Sequence, residues 1–200
     1  MYNIKKTTLQ KWTKLSLAAI ISVSSITAAA QIANAKAAST QSISSSTVKN
    51  SSSAYVKSLY ALAKQGKIPG SDFVSGKTLI KDVHKKWGDP TLGPSNKYEF
   101  YNFGMGTGSF AVGVGKGGVV FDLRTFGQNI DPTTGIKSLT FTSIISALGM
   151  PKEVRFSGED KIYMYNAGSF QLKFVGPKSV AKGSIAHIDH MNVYSPKADK

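Results

Sequence analysis

The 200-residue chain contains no cysteine. That excludes disulfides, thiol nucleophiles, cysteine-ligated zinc and a lipid anchor on an N-terminal cysteine. Acidic residues are scarce, 11 against 25 lysines and arginines. A carboxylate pair for glycoside hydrolysis would have to come from that short list. Glu99, Asp122, Glu153, Glu159, Asp160 and Asp189 fall in strand-like sequence, and nothing in their spacing pairs them. Arginine occurs only at Arg124 and Arg155, and neither helix-turn-helix nor zinc-finger spacing is present, so nucleic acid is not an expected partner. No Gly-x-Ser-x-Gly elbow exists, which removes one common frame for a serine nucleophile.

Residues 1–35 read as a cleavable signal peptide. Lys5, Lys6, Lys11 and Lys14 form a basic start, and an uncharged stretch from Leu15 to Ala30 follows. Ala33-Asn34-Ala35 then supplies a small-x-small cleavage pattern, with a second option after Ala37. Ser16, Ser22, Ser24, Ser25 and Thr27 interrupt the stretch, which is too short and polar for a membrane anchor of about 20 apolar residues. The expectation is a secreted protein, extracellular or wall-associated, with no stable membrane anchor after cleavage. Removing the four leader lysines takes the formal charge from +14 to +10. A basic protein outside a cell is drawn to wall polymers and other polyanions by a field that salt screens.

Residues 36–53 are mostly Ser, Thr, Ala, Gln and Asn, and read as a flexible lead-in. One domain is expected over 54–196, with a short tail at 197–200. A helix from Tyr55 to Lys64 carries Val56, Leu59, Tyr60, Leu62 and Ala63 on one stripe. Leu79, Ile80, Val83 and Trp87 recur at helical spacing, and Gly88-Asp89-Pro90 stops that helix. Strands follow over 98–103, 109–114 and 119–126, the last two joined by a turn at Lys116-Gly117-Gly118. The order then returns: a helix over 139–148 stopped by Gly149-Met150-Pro151, then strands over 162–165, 169–175 and 185–194. Val83, Trp87, Gly88 and Pro90 fall on Ile144, Leu148, Gly149 and Pro151; Tyr98 and Tyr101 fall on Ile162 and Tyr165; Phe121-Asp122 falls on Ile188-Asp189. The fold class is therefore α+β, as two degenerate repeats of a helix followed by antiparallel strands, with the helices on one face of a curved sheet and the other face partly open.

Gly113, Gly115 and Gly118 spell G-x-G-x-x-G, but Val119 onward continues as a strand where a dinucleotide site needs a helix. His187, Asp189 and His190 are the only clustered metal-type ligands, and strand alternation sends His190 away from the other two. Neither a metal nor a cofactor is expected. The aromatic residues are more suggestive. Tyr98 and Tyr101 crowd one strand, Tyr163 and Tyr165 its counterpart, beside Lys97, Lys161 and Lys173. These seven form the candidate binding set, since aromatics and cations dominate binding surfaces. Alternation gives Tyr98 and Tyr101 opposite faces, so one set belongs to the core.

The segments KKWGDP, GVGKGGVVFDLRTF, ALGMP, FQLKF and IDHMNVYSP, taken together over Tyr55 to Pro196, resemble the YjgB-like family of secreted Gram-positive bacterial proteins, classed as a domain of unknown function. The resemblance implies the fold and the export, but no activity. A weaker, fold-level likeness is to β-lactamase inhibitory proteins and SmpA-type envelope lipoproteins, which bind other proteins through a sheet. The favoured function is a non-catalytic binding module whose partner is an anionic wall polymer or an extracellular protein. The alternatives are a secreted hydrolase acting on a wall polymer and an inhibitor of an extracellular enzyme.

Overall fold

The computed structural model describes residues 40–104, 106–128 and 134–199, the side chains of 40–50 excepted. The signal-peptide assignment and both cleavage points lie outside these residues. Ser39–Lys200 forms one compact unit.

Among the described residues three α-helices and eight strands follow in the order α1 (Thr40–Lys64), α2 (Ile80–Trp87), β1 (Leu92–Ser95), β2 (Tyr98–Asn102), β3 (Ser109–Val114), β4 (Val120–Thr125), α3 (Phe141–Leu148), β5 (Glu153–Ser157), β6 (Asp160–Ala167), β7 (Phe170–Pro177) and β8 (His190–Tyr194). The strands form a single antiparallel sheet in the order β1-β2-β3-β4-β8-β7-β6-β5. The fold is α+β.

Helix α1 begins at Thr40, not at Tyr55, so the segment expected to be a flexible lead-in is helical over most of its length. Val56, Leu59 and Ala63 are fully buried and anchor the helix. No Gly or Pro interrupts 40–64, and lengthening an anchored helix through weak formers costs far less than nucleating a new one. The expected tail also packs: the Ala198 amide donates to the Ser195 carbonyl at 3.1 Å. Strands β1 and β5 were not expected, and β8 starts at His190 rather than near residue 185.

All three helices lie on one face of the sheet. Trp87 of α2 meets Tyr101 and Phe110 at 5.2 and 4.9 Å between ring centroids, and Phe141 of α3 meets Tyr163 at 4.5 Å. The Tyr60 hydroxyl of α1 donates to the Asn166 carbonyl at 2.8 Å. Leu123, Val193, Leu172 and Phe174, from adjacent central strands, are fully buried beneath them.

Helix α3 starts in a capping box between Thr140 and Ser143, whereas α2 follows Leu79 with no side-chain cap. Both helices end on a glycine at matching positive φ, 79° at Gly88 and 81° at Gly149. The segment before each helix also pairs with the segment before β4 or β8. The Val120 amide donates to the Thr78 carbonyl at 2.9 Å, and the Ile188 amide to the Leu139 carbonyl at 2.8 Å.

Candidate functional site

Alternation along the strands fixes which side chains face away from the helices. One row across the sheet reads Tyr98–Gly113–Asp122–Tyr194–Gln171, and the next reads Phe100–Ala111–Arg124–Asn192–Lys173–Met164–Glu153. These rows carry most of the charge chemistry of the central sheet.

Asp122 sits at their centre, 1% exposed. Its Oδ2 accepts from the Tyr98 hydroxyl at 2.8 Å and from Arg124 Nε at 2.9 Å. Arg124 also donates to the Tyr98 oxygen at 2.5 Å, and its guanidinium carbon lies 3.9 Å from the Tyr98 ring centroid. Asn192 reaches the same pair. In one orientation its amide nitrogen is 3.3 Å from Asp122 Oδ2, and in the other its amide oxygen is 3.1 Å from Arg124 Nε. Asp122 Oδ1 is buried and receives no hydrogen bond from the described residues. Burial, with Asp122 alongside, pushes the Tyr98 hydroxyl well above the ordinary tyrosine value.

Gly113 makes this packing possible. A Cβ there would stand 2.9 Å from ring atoms of both Tyr98 and Phe121. The first glycine of the G-x-G-x-x-G string thus serves ring packing inside a strand, and the string spans β3, a 3₁₀ turn at Lys116–Gly118 and the approach to β4.

Lys173 lies in the Arg124 row, beyond Asn192. Its Nζ stands 3.9 Å over the Tyr194 ring, and it makes no ion pair with any described residue. Burial lowers its pKa; the nearby Asp122 carboxylate opposes that shift, and Arg124 and Arg155 add to it. The Tyr194 hydroxyl donates to Asp199 at 2.9 Å, and burial together with that carboxylate pushes it up to about 12. Lys97, at positive φ in the β1–β2 turn, reaches Asp199 at 3.5 Å.

The seven residues singled out in the sequence therefore divide between the faces. Tyr98, Lys97 and Lys173 belong to the far-face cluster. Tyr101 and Tyr165 are core residues, 1% and 6% exposed, and their assignment to a binding surface is corrected. Tyr101 donates to the buried Glu99 at 2.7 Å, and Tyr165 donates to the Gly149 carbonyl at 2.9 Å at the end of α3. Tyr163 and Lys161 also sit on the helix side, Lys161 Nζ lying 4.3 Å over the Phe141 ring. The far face adds Arg124, Asp122, Asn192, Tyr194 and Arg155, none of which the aromatic pattern selects. Both arginines of the chain lie on this face, which only the pairing of β2, β3 and β4 and of β5 with β6 reveals.

His84 Nε2 lies 2.7 Å from Glu99 Oε2, between α2 and β2, and His190 Nδ1 lies 2.9 Å from Asp189. No group of three metal-type ligands occurs among the described residues. A cavity of about 450 Å³ opens on the helix side, lined in part by Tyr55, Phe110, Thr125, Gln128, Ile136 and Lys137, with no Asp, Glu or His among its described lining residues. No helix among the described residues is long and apolar enough to cross a membrane.

Helices on one face of a single eight-stranded antiparallel sheet, with a tyrosine–cation cluster on the other, define an α+β domain with one structural face and one chemically varied face. Residues 56–194 match the model of DUF4309, a domain of unknown function, and the chain belongs to that family. It is 26% identical over 193 residues to the uncharacterized protein YjgB of Bacillus subtilis (strain 168), covering 90% of this chain and 98% of that one. The crystal structure of YjgB, a DUF4309 family protein from the same organism, superposes with a TM-score of 0.63 at 24% identity, over 73% of this chain and 99% of that one. An extracellular protein containing a SCP domain from Bacillus anthracis aligns at a TM-score of 0.41 and 11% identity, over 60% of this chain and 43% of that one.

Proposed function

We propose that the domain is an exported, non-catalytic binding module that takes an anionic polymer on its far sheet face, at the cell wall or outside the cell. The observation that carries this reading is Lys173. It is a half-buried ammonium group over an aromatic ring, with Asp122, Arg124 and Arg155 nearby and no carboxylate of the described residues within ion-pair distance. Such a charge is held at a cost that a bound phosphate or carboxylate would relieve. Arg124 is fixed in place by Asp122 and Tyr98, so it presents an ordered cation in the same row. The formal charge of +14, or +10 once the four leader lysines are removed, supplies long-range attraction to the same class of ligand.

A hydrolase has less support. The His–acid pair nearest to catalytic geometry, His84 and Glu99, is locked between α2 and the sheet, and the 450 Å³ cavity is lined by neither residue. The test is co-sedimentation of the purified protein with isolated cell walls over a range of salt. Retention that fades as salt rises is the expected result. Absence of retention at low salt, or retention indifferent to salt, would overturn the anionic-polymer reading, and pull-down from the secreted fraction would then test the enzyme-inhibitor alternative.

We also infer that the domain descends from two copies of one helix-plus-meander unit, α2-β1-β2-β3-β4 and α3-β5-β6-β7-β8. The mirrored strand order supports this, with the last strand of each unit meeting at the centre. So do the matching glycine caps and the paired bridges Leu79–Val119 and Thr140–His187. Those bridges set Val120 on Ile188, so Asp122 corresponds to His190 rather than to Asp189. The buried carboxylate and its arginine are then a feature of the first copy alone. A structure-guided alignment of the halves in the Bacillus subtilis relative should keep the same correspondence, and a shift of register at the bridges would contradict it.

A further inference from the structure

The two edges of the sheet are built differently. At one edge, β1 contains Gly93 and Pro94 and its pairing with β2 shifts register between Leu92 and Ser95. Proline cannot donate a ladder hydrogen bond, and an irregular register bends a strand away from new partners; both blunt an edge. At the other edge, β5 pairs with β6 through five consecutive residues without a bulge, a glycine or a proline. On the helix side of this strand Val154 and Phe156 are 42% and 65% exposed, and Met150 just before it is 75% exposed. On the far side, Arg155 Nε and a terminal nitrogen hold both oxygens of Glu153 at 2.5 and 2.9 Å.

The backbone of β5 is oriented for pairing. Gly158 and Glu159 make a two-residue turn, Gly158 at positive φ, between the closing partners Ser157 and Asp160. In such a hairpin the closing pair is hydrogen-bonded and bonding alternates from there. Glu153, Arg155 and Ser157 therefore direct their amides and carbonyls to β6, and those of Val154 and Phe156 point outward.

We propose that the β5 edge is a homodimer interface, in which two copies pair β5 to β5 antiparallel about a two-fold axis at Val154. A two-fold centred there sets Glu153 of each copy opposite Arg155 of the other, both on the far face. It sets Phe156 against the aliphatic stem of Lys152 of the second copy on the helix face; the Lys152 amide is already given to the Met164 carbonyl at 2.9 Å, so the intermolecular ladder runs through Val154 and the Phe156 amide. The strand is therefore complementary to itself in charge, which is what commits the edge to a second copy of this chain. Centring the axis at Arg155 would set the two arginines against each other. The joined sheets leave each tyrosine–cation cluster on the same side of the dimer. A single strand pairing is a small interface, so association in about the micromolar range is expected. This inference is independent of what the far face binds.

Sedimentation velocity and light scattering of the purified protein between about 1 and 200 µM test it, spanning the range expected for an interface of this size. The expected result is a concentration-dependent shift from one to two chains. Phe156→Lys should weaken the dimer at least about tenfold, the loss of roughly one buried aromatic contact. Glu153→Arg and Arg155→Glu should each be monomeric, and mixing the two variants in equal amounts should restore a two-chain species, because the opposed charges again match. Circular dichroism of each variant confirms that it is folded. A wild-type protein that stays monomeric throughout, a dimer that survives Phe156→Lys, or a mixture of the two charge variants that stays monomeric would each overturn the proposal.

Discussion

The two faces of the sheet use the same alternating strands for opposite ends. On the helix side the central positions Leu123, Val193, Leu172 and Phe174 are closed to water and carry no polar atoms. One residue further along the same strands, the far side holds Asp122, Arg124, Asn192 and Lys173, of which Asp122 and Asn192 are also buried. Burial alone thus does not separate core from site in this molecule. What separates them is whether the buried groups are satisfied. Among the described residues the helix face leaves no buried polar side-chain atom unpaired, while the far face keeps an ammonium group outside any ion-pair contact and a carboxylate oxygen that receives no hydrogen bond.

That contrast can be broken most forcefully on the helix side. Leu172→Ala opens a cavity at a fully buried central position and should cost about 2–5 kcal/mol, seen as a lower urea midpoint. The fraction that remains folded should still be retained on cell walls. Asp122→Ala strikes the far face instead. It strands Arg124 in a largely buried position and should cost about 3 kcal/mol, with Asp122→Asn costing less because Tyr98 and Arg124 keep a hydrogen-bond acceptor. Gly113→Ala drives a methyl group into the Tyr98 and Phe121 rings and should cost about 1–3 kcal/mol while also loosening the cluster.

The smallest effect on stability separates the faces most cleanly. Lys173→Met keeps the stem over Tyr194 and removes only the charge. Since the folded-state pKa of Lys173 lies below its ordinary 10.5, the folded protein binds fewer protons than the unfolded chain in the interval below that value. Wild-type stability therefore carries a term that rises with pH there, and chemical denaturation against pH should show Lys173→Met lacking it. At neutral pH the variant should be as stable as the wild type or slightly more so.

Much of the architecture was readable in the sequence because it rests on strong local signals. The apolar spacing of Val83 and Trp87, and of Phe141 and Ile144, placed α2 and α3, and Gly88 and Gly149 marked their ends. Strand β1, with Gly93, Pro94 and no alternation, carries no such signal. In β5 the apolar positions Val154 and Phe156 alternate but face no core, so the pattern lacked the burial that normally gives it meaning. The start of α1 was hidden because Ser- and Thr-rich sequence reads as disordered unless something downstream anchors it. The site was half legible. Lys173 and Tyr98 stand out by their chemistry, yet Tyr101 and Tyr165 share that composition and differ only in parity. The identity of the buried face depends on where the helices pack, which no single strand encodes. Nothing in the sequence ties Asp122 and Arg124 to Tyr98, because their partnership crosses β2, β3 and β4.

Two lysines offer the most direct test of the central claim, since each lies over an aromatic ring on an opposite face. Lys173 stands over Tyr194 on the far side, and Lys161 over Phe141 on the helix side. Lys173→Met and Lys161→Met remove the same charge, so any effect of net charge is equal in both. In salt-dependent co-sedimentation with isolated cell walls, Lys173→Met should lose most of the wild-type retention and Lys161→Met should keep it. Equal retention by the two variants would contradict a binding site on the far face.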